Sequence, residues 1–362
     1  MYIQPFLSFY PKLSQIGHLA SFFDAAKERF VGFWEQGLFE SIQQPTVFLY
    51  QIEVPERLYT GVLACVDIAE YLSGNIKKHE NTIQTEQDKQ MHLTLERRAA
   101  VKPILLTYAE QDKIDHWIGD FMTEHPVFLA LDFPHEEQTH RLWAVQEKQA
   151  VAALQKLFAD LVEHAYIADG HHRMEAMARI CQTSSDPAFR QIYCAFFPSR
   201  QLDILEFNRI VRLPDLALFL QKLSGLFDIS ILDSASKPSQ KHEMTLCTTQ
   251  GWYRLRWKSA VLSAFWQDEI LLDTVLLNEK VLHPLLGIED PRSDPRISYL
   301  DSQKGLSGVE NAVRENPNSV VFCMYPIVFE DLAQAIEAGK ILPPKSTWFE
   351  PRMKNGLIVK RY

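Results

Sequence analysis

Tyr166-Ile-Ala-Asp-Gly-His-His-Arg-Met-Glu-Ala-Met-Ala-Arg-Ile180 decides how the rest of this chain is read. Tyr166 to Ala168 reads as a short buried strand and Asp169-Gly170 as a tight turn. Arg173-Met-Glu-Ala-Met-Ala-Arg, with Ala and Met at helix-favouring positions, enters a helix at once. The first N–H groups of a helix have no partner within it and sit at the positive end of its dipole, so a strand, glycine turn and helix start can meet phosphate oxygens without side chains. This turn adds two imidazoles and a guanidinium, His171, His172 and Arg173. Arg offers a planar fork for phosphate, while Asp169 either caps the helix or holds a Mg²⁺ that travels with the phosphate. The plainer alternative is Asp169 as cap and the His pair as partly buried, satisfied side chains. Three cationic or proton-transferring side chains in succession are harder to explain by packing alone.

Working outward, a helix carrying Val151, Leu154, Leu157, Phe158, Leu161 and Val162 leads into the Tyr166 strand. Ile192–Phe197 and Asp203–Val211 read as a strand pair, and Pro214 as the first turn of a helix. The boundary between an N-terminal α+β region, 1–212, and a C-terminal α+β subdomain, 213–362, falls there. Upstream, apolar residues recurring at three and four from Ile16 to Gln36 predict one amphipathic helix ended by Gly37. Thr46–Ile52 and Tyr59–Val66 read as strands. The polar run Lys77–Asp88 leads into a helix carrying Arg97 and Arg98, with Thr85 and Asp88 as capping residues. Its His79, Glu80 and Thr82 form, with Asp88, a cluster able to supply a general base or a metal ligand. Val101–Tyr108 reads as a strand, followed by a short helix about His116 and a hairpin from Val127 to Val145. Downstream come strands near 228–232, 244–249, 252–257 and 320–325, a long helix Ile270–Leu286, and helices near 308–315 and 328–338. A last strand is expected near Gly356–Lys360. In the tail, Pro343-Pro344 predicts an extended backbone presenting Lys345, Ser346 and Thr347, a contact set for phosphate or carboxylate. Its alternative is a terminal loop packed by Trp348 and Phe349.

The 362 residues suffice for a substantial core in two packed subdomains. A formal charge of −9 argues against a general nucleic-acid or anionic-membrane surface, leaving room for a local basic pocket. Five scattered cysteines without C-x-x-C spacing indicate neither a disulfide framework nor a structural zinc site, and a reducing, cytoplasmic setting is the default. No apolar run reaches membrane-spanning length, and no signal-peptide pattern opens the chain. Phosphate-binding loops of the G-x-x-x-x-G-K-[ST] and G-x-G-x-x-G types, protein-kinase signatures and the G-x-S-x-G elbow are absent from the sequence. Oligomeric state is not legible.

Ala168-Asp-Gly-His-His-Arg173, preceded by Lys78-His-Glu-Asn-Thr82 and followed by Leu342-Pro-Pro-Lys-Ser-Thr-Trp-Phe349, resembles the family catalogued as a domain of unknown function, DUF1015. The opening Ile3-Gln-Pro-Phe6, Leu272-Asp-Thr-Val-Leu-Leu277 and Leu285-Leu-Gly-Ile288 fit the same family. Some members resemble free-serine kinases, which phosphorylate the hydroxyl of L-serine with pyrophosphate or a nucleotide. The turn is similar to the phosphate-binding turn of the ParB and sulfiredoxin superfamily. The resemblance thus implies an α+β (mixed α/β) fold with a ParB/sulfiredoxin-like core and an additional α+β C-terminal subdomain. It also implies a phosphotransferase acting on a hydroxyl amino acid with pyrophosphate, ADP or ATP as donor; the alternative is a non-catalytic protein of ParB-like ancestry that binds a phosphate-bearing metabolite. By the same analogy Asp169 would bind Mg²⁺, and Glu80 would be the base, with Asp169 and His172 beside it in catalysis. Gly170, His171, His172 and Arg173 would hold the donor phosphates, completed by Lys345, Ser346 and Thr347, while His79, Thr82, Asn208 and Arg209 would contact substrate.

Overall fold

The computed structural model describes residues 1–265 and 270–362, an α+β chain in two compact units: Met1–Leu202 with Pro351–Tyr362, and Asp203–Glu350. The division falls before the strand Phe207–Arg212 because that strand is hydrogen-bonded on both sides to the second unit, to Ile297–Asp301 and Ser319–Cys323. The expected pairing of 192–197 with 203–211 is therefore not made. Gln191–Pro198 lies instead between Ile104–Tyr108 and Arg57–Asp67 in the first unit.

The first unit is built on a mixed eight-stranded sheet in the order 76–77, 165–169, 104–108, 191–198, 57–67, 47–54, 138–145, 129–133. The strands that meet at its middle are continuous apolar runs, as buried strands must be. Helices Asp112–Glu124, Lys148–Leu161 and His171–Thr183 bury Ile114, Ile118, Leu154, Phe158, Met174 and Ile180 in one core with Ile104, Leu106 and Phe196. The helix about His116 is thus longer than expected. A second, four-stranded sheet joins Phe39–Ser41, Ser8–Pro11, Val359–Arg361 and Ala99–Ala100, which ties the C-terminal strand into this unit.

The helix expected over 16–36 is broken into Leu19–Ala25 and Phe30–Glu35. Phe22 and Phe33 stack with ring centroids 4.7 Å apart. In one straight helix their eleven-residue separation would hold them about 16 Å apart. Burying both rings, together with Phe30 and Phe39, outweighs the hydrogen bonds lost at the break.

The second unit carries a six-stranded antiparallel sheet in the order 227–232, 251–257, 243–248, 319–323, 207–212, 297–301, and a short ladder of 203–205 with 348–350. Its long helix runs over Asp273–Leu286 and widens to π winding at Asn278–Leu282. Pro284 has no N–H for the ordinary bond four residues back, and the wider turn sits at that gap. Pro214 lies outside the helix it was expected to open; Asp215 caps Leu216–Leu223 by accepting from the Leu218 N–H at 3.0 Å. No helix among the described residues is long and apolar enough to cross a membrane.

Candidate active site

The strand Ala165–Asp169 passes through one residue, Gly170, into the helix His171–Thr183, which begins two residues earlier than the sequence suggests. Gly170 has φ +107°, a conformation that L side chains rarely adopt, and a Cβ there would lie 2.9 Å from Arg173 Nη2. Arg173 is folded back over the turn. Its Nη2 donates to Asp169 Oδ2 at 2.8 Å, and its Nη1 to the carbonyls of Lys102 and Pro103 at 2.9 and 2.6 Å. Lys102 Nζ donates to the same Asp169 oxygen at 3.0 Å. Burial works against the Asp169 charge, but Arg173 and Lys102 outweigh it and hold its carboxyl well below the usual range. Asp169 is therefore an ion-paired carboxylate and does not cap the helix, a place taken by Gly170.

The sequence reading gives Lys102 no role, although it is the one charged residue in the run Val101–Tyr108; it stands two residues before the buried strand Ile104–Tyr108, where a largely buried lysine needs a partner. Beside this cluster opens a cavity of about 310 Å³, at the small end for ligand sites. Four cationic side chains line it, Lys27, Arg97, Lys102 and Arg173, against one acidic side chain, Asp169.

On the first turn of the helix the segment 78–83 is seated. The Ile83 N–H donates to His172 Nε2 at 3.2 Å, Lys78 pairs with Glu175, and the His79 and His171 rings meet edge to face with centroids 4.5 Å apart. Glu80 Oε2 stands 3.8 Å from His171 Nδ1. Burial pulls the His79 imidazole down to about 4, and burial, then the neighbouring His79, pulls His171 well below its ordinary value. Both rings are neutral at neutral pH. His171 is 6% exposed, and its buried Nε2 has no hydrogen-bond partner among the described residues. Thr82 accepts from Gln87 at 2.6 Å. Thr85 lies inside the helix Gln84–Arg97, which begins without a side-chain cap, and Asp88 is paired with Arg179 at 2.8 Å. The tertiary structure thus brings His79, Glu80, His171 and His172 together.

The remaining residues belong to the second unit. Asn208 Oδ1 accepts from the Met324 N–H at 3.1 Å. Arg209 is 2% exposed; it donates to the Phe207 carbonyl at 2.6 Å and lies over the Tyr299 ring, while its Nη2 has no hydrogen-bond partner among the described residues. Lys345, Ser346 and Thr347 are not presented on an extended backbone. Lys345 turns to φ +54° with its Nζ over the Phe207 ring, and Ser346 is buried, its hydroxyl donating to the Pro343 carbonyl at 2.7 Å. That bond closes a turn, and closing it costs the two hydroxyl residues their exposure.

The residues at Asp169 do not fit a protein-held magnesium. Its Oδ2 already takes two cationic donors, and no group of three or more His, Cys, Asp or Glu side chains among the described residues could hold a metal ion.

Among solved structures the chain is similar to a C-terminally truncated SbnI from Staphylococcus aureus, at 13% identity and TM-score 0.45, over 81% of this chain and 85% of that one. It is also similar to a free serine kinase variant in complex with ADP, at 12% identity and TM-score 0.39, over 82% and 92%. A conserved hypothetical protein from Pyrococcus furiosus stands at 13% identity and TM-score 0.37, over 83% and 95%. No curated protein matches in sequence. A family profile described as a protein of unknown function, DUF1015, matches residues 13–279, well over half of the chain, and the chain belongs to that family.

Proposed function

We propose that this chain is a small-molecule phosphotransferase whose acceptor is the hydroxyl of an amino acid, free L-serine first among them, with pyrophosphate, ADP or ATP as donor. The observation that carries this reading is the Glu80–His171 pair on the first turn of the helix His171–Thr183: a neutral, buried imidazole with a carboxylate facing one nitrogen and no partner on the other. A ring so held is unprotonated and has a nitrogen lone pair for a hydroxyl proton, with the Glu80 carboxylate 3.8 Å away to stabilise the imidazolium that forms, and the helix start beside it suits a phosphate. In the step proposed, His171 Nε2 takes the hydroxyl proton and the freed oxygen forms a bond to the terminal phosphorus of the donor. The bridging P–O bond breaks, and its electron pair leaves with the departing phosphate or nucleotide. Glu80 orients the ring, and His172 anchors the 78–83 segment through the Ile83 amide. The cation-rich cavity next to Asp169 offers room for the rest of the donor. No step runs through a metal held by Asp169.

Phosphoserine formation, followed with each donor in turn, tests this. His171→Asn should lower kcat by about 10²- to 10⁴-fold, the range of a general-base contribution, and Glu80→Gln, which removes only the carboxylate beside the ring, should lower it less. Undiminished turnover in both variants would refute the assignment of the base. A second reading, binding of a phosphate-bearing metabolite without turnover, is favoured by the closed Lys102–Asp169–Arg173 cluster. It predicts thermal stabilisation by pyrophosphate together with silence across every donor and hydroxyl acceptor.

A further inference from the structure

The segment Leu272-Asp-Thr-Val-Leu-Leu277 takes no part in the reading above, yet its first three residues line a cavity of about 290 Å³ within the second unit. Asp273, 7% exposed, accepts there from the His242 N–H at 2.9 Å and from Trp257 Nε1 at 3.1 Å, and the His242 ring lies 3.3 Å away. His242 has φ +66°, a strained conformation for a side-chain-bearing residue, and its backbone and its ring are both turned to this one carboxylate. Strain of this kind persists only where its surroundings fix it.

Thr274 lines the same cavity, and its hydroxyl, on a side chain 2% exposed, has no hydrogen-bond partner among the described residues. A buried hydroxyl left unpaired is unfavourable unless something supplies its partner. Lys241 Nζ and Asp331 Oδ2, 2.6 Å apart and both partly exposed, set one cation and one anion on the wall. Leu272 and Ile327 add apolar surface. Adjacent opposite charges, a buried hydroxyl and an apolar floor are complementary to a small molecule that carries an ammonium and a carboxylate on one carbon next to an apolar group.

We propose that this cavity binds a free α-amino acid, its carboxylate on Lys241, its ammonium on Asp331 and Thr274, and its side chain against Leu272 and Ile327. The residues named belong wholly to the second unit, whereas Glu80 and His171 belong to the first.

The test is thermal shift and calorimetry of the full chain against each of the twenty L-amino acids, with an n-alkylamine and an n-alkanoate as controls carrying one group each. At least one amino acid should raise Tm in a saturable manner, the controls should not, and Lys241→Ala or Asp331→Ala should weaken binding at least tenfold. Thr274→Val keeps the shape and removes the hydroxyl, so it should raise the Tm of the free protein and shrink the shift given by the ligand. Stabilisation lost in Glu80→Gln but kept in Lys241→Ala would place the amino acid at the transfer site and overturn the proposal. No response to any amino acid would overturn it as well.

Discussion

Arg173→Met separates a guanidinium that holds the turn together from one held in reserve for a phosphate. In the structure Arg173 makes three donations, to Asp169 Oδ2 and to the carbonyls of Lys102 and Pro103, with its side chain 23% exposed. Hydrogen bonds from a charged donor are worth about 1.5–3 kcal/mol each when their partners stay buried. Lys102 still neutralises Asp169 after the substitution, and methionine retains much of the apolar stem, so the sum is well below three full bonds. About 3 kcal/mol is the expected loss. The assay is a urea titration read by hydrogen exchange in peptides spanning 165–183, since a chain of two units need not unfold in one step. Asp169→Asn should be destabilising too, and the double variant should cost less than the sum of the two, because both act on one cluster. A guanidinium awaiting a ligand would behave in the opposite way: removing it would relieve repulsion with Lys102 and leave stability unchanged or raised. A change within about 0.5 kcal/mol, the range of a surface substitution, would refute the clasp assigned to Arg173.

Acid should loosen the first unit through its buried histidines. His79, at about 4 when folded against 6.5 unfolded, and His171, also lowered, bind fewer protons in the native state. Stability from them is complete above pH 6.5 and is lost as pH falls toward 4, with His79 contributing at most about 3.4 kcal/mol at 1.36 kcal/mol per pH unit. A His79→Gln variant whose stability falls as steeply as the parent between pH 6.5 and 4 would contradict this. Arg209→Met in the second unit should hold or raise Tm, since it replaces a buried guanidinium, part of it unpartnered, by an apolar side chain of similar length. A drop of several degrees in calorimetry would show that the Phe207 carbonyl and the Tyr299 ring compensate the buried charge.

What local sequence determined was the turn itself. A strand, one glycine that must take positive φ and a helix start are set within a few residues, so Ala168-Asp-Gly-His-His-Arg173 carries its own geometry, and the family followed from it together with the motifs at 78–82, 272–277 and 342–349. The α+β class was legible too, because the helix and strand periods are short compared with the elements that show them. What only the tertiary structure decided were the partners. Lys102 reaches Asp169 from 67 residues away and Glu80 faces His171 from 91, contacts that depend on how strands 104–108 and 165–169 pair and on where the 78–83 segment lies. The break at 26–29 and the turn at Lys345 have the same origin. Neither is required by the residues that adopt it; the first follows from stacking Phe22 on Phe33, the second from the bond between Ser346 and Pro343. Periodicity reports which face of an element is apolar, and is silent on what that face will meet.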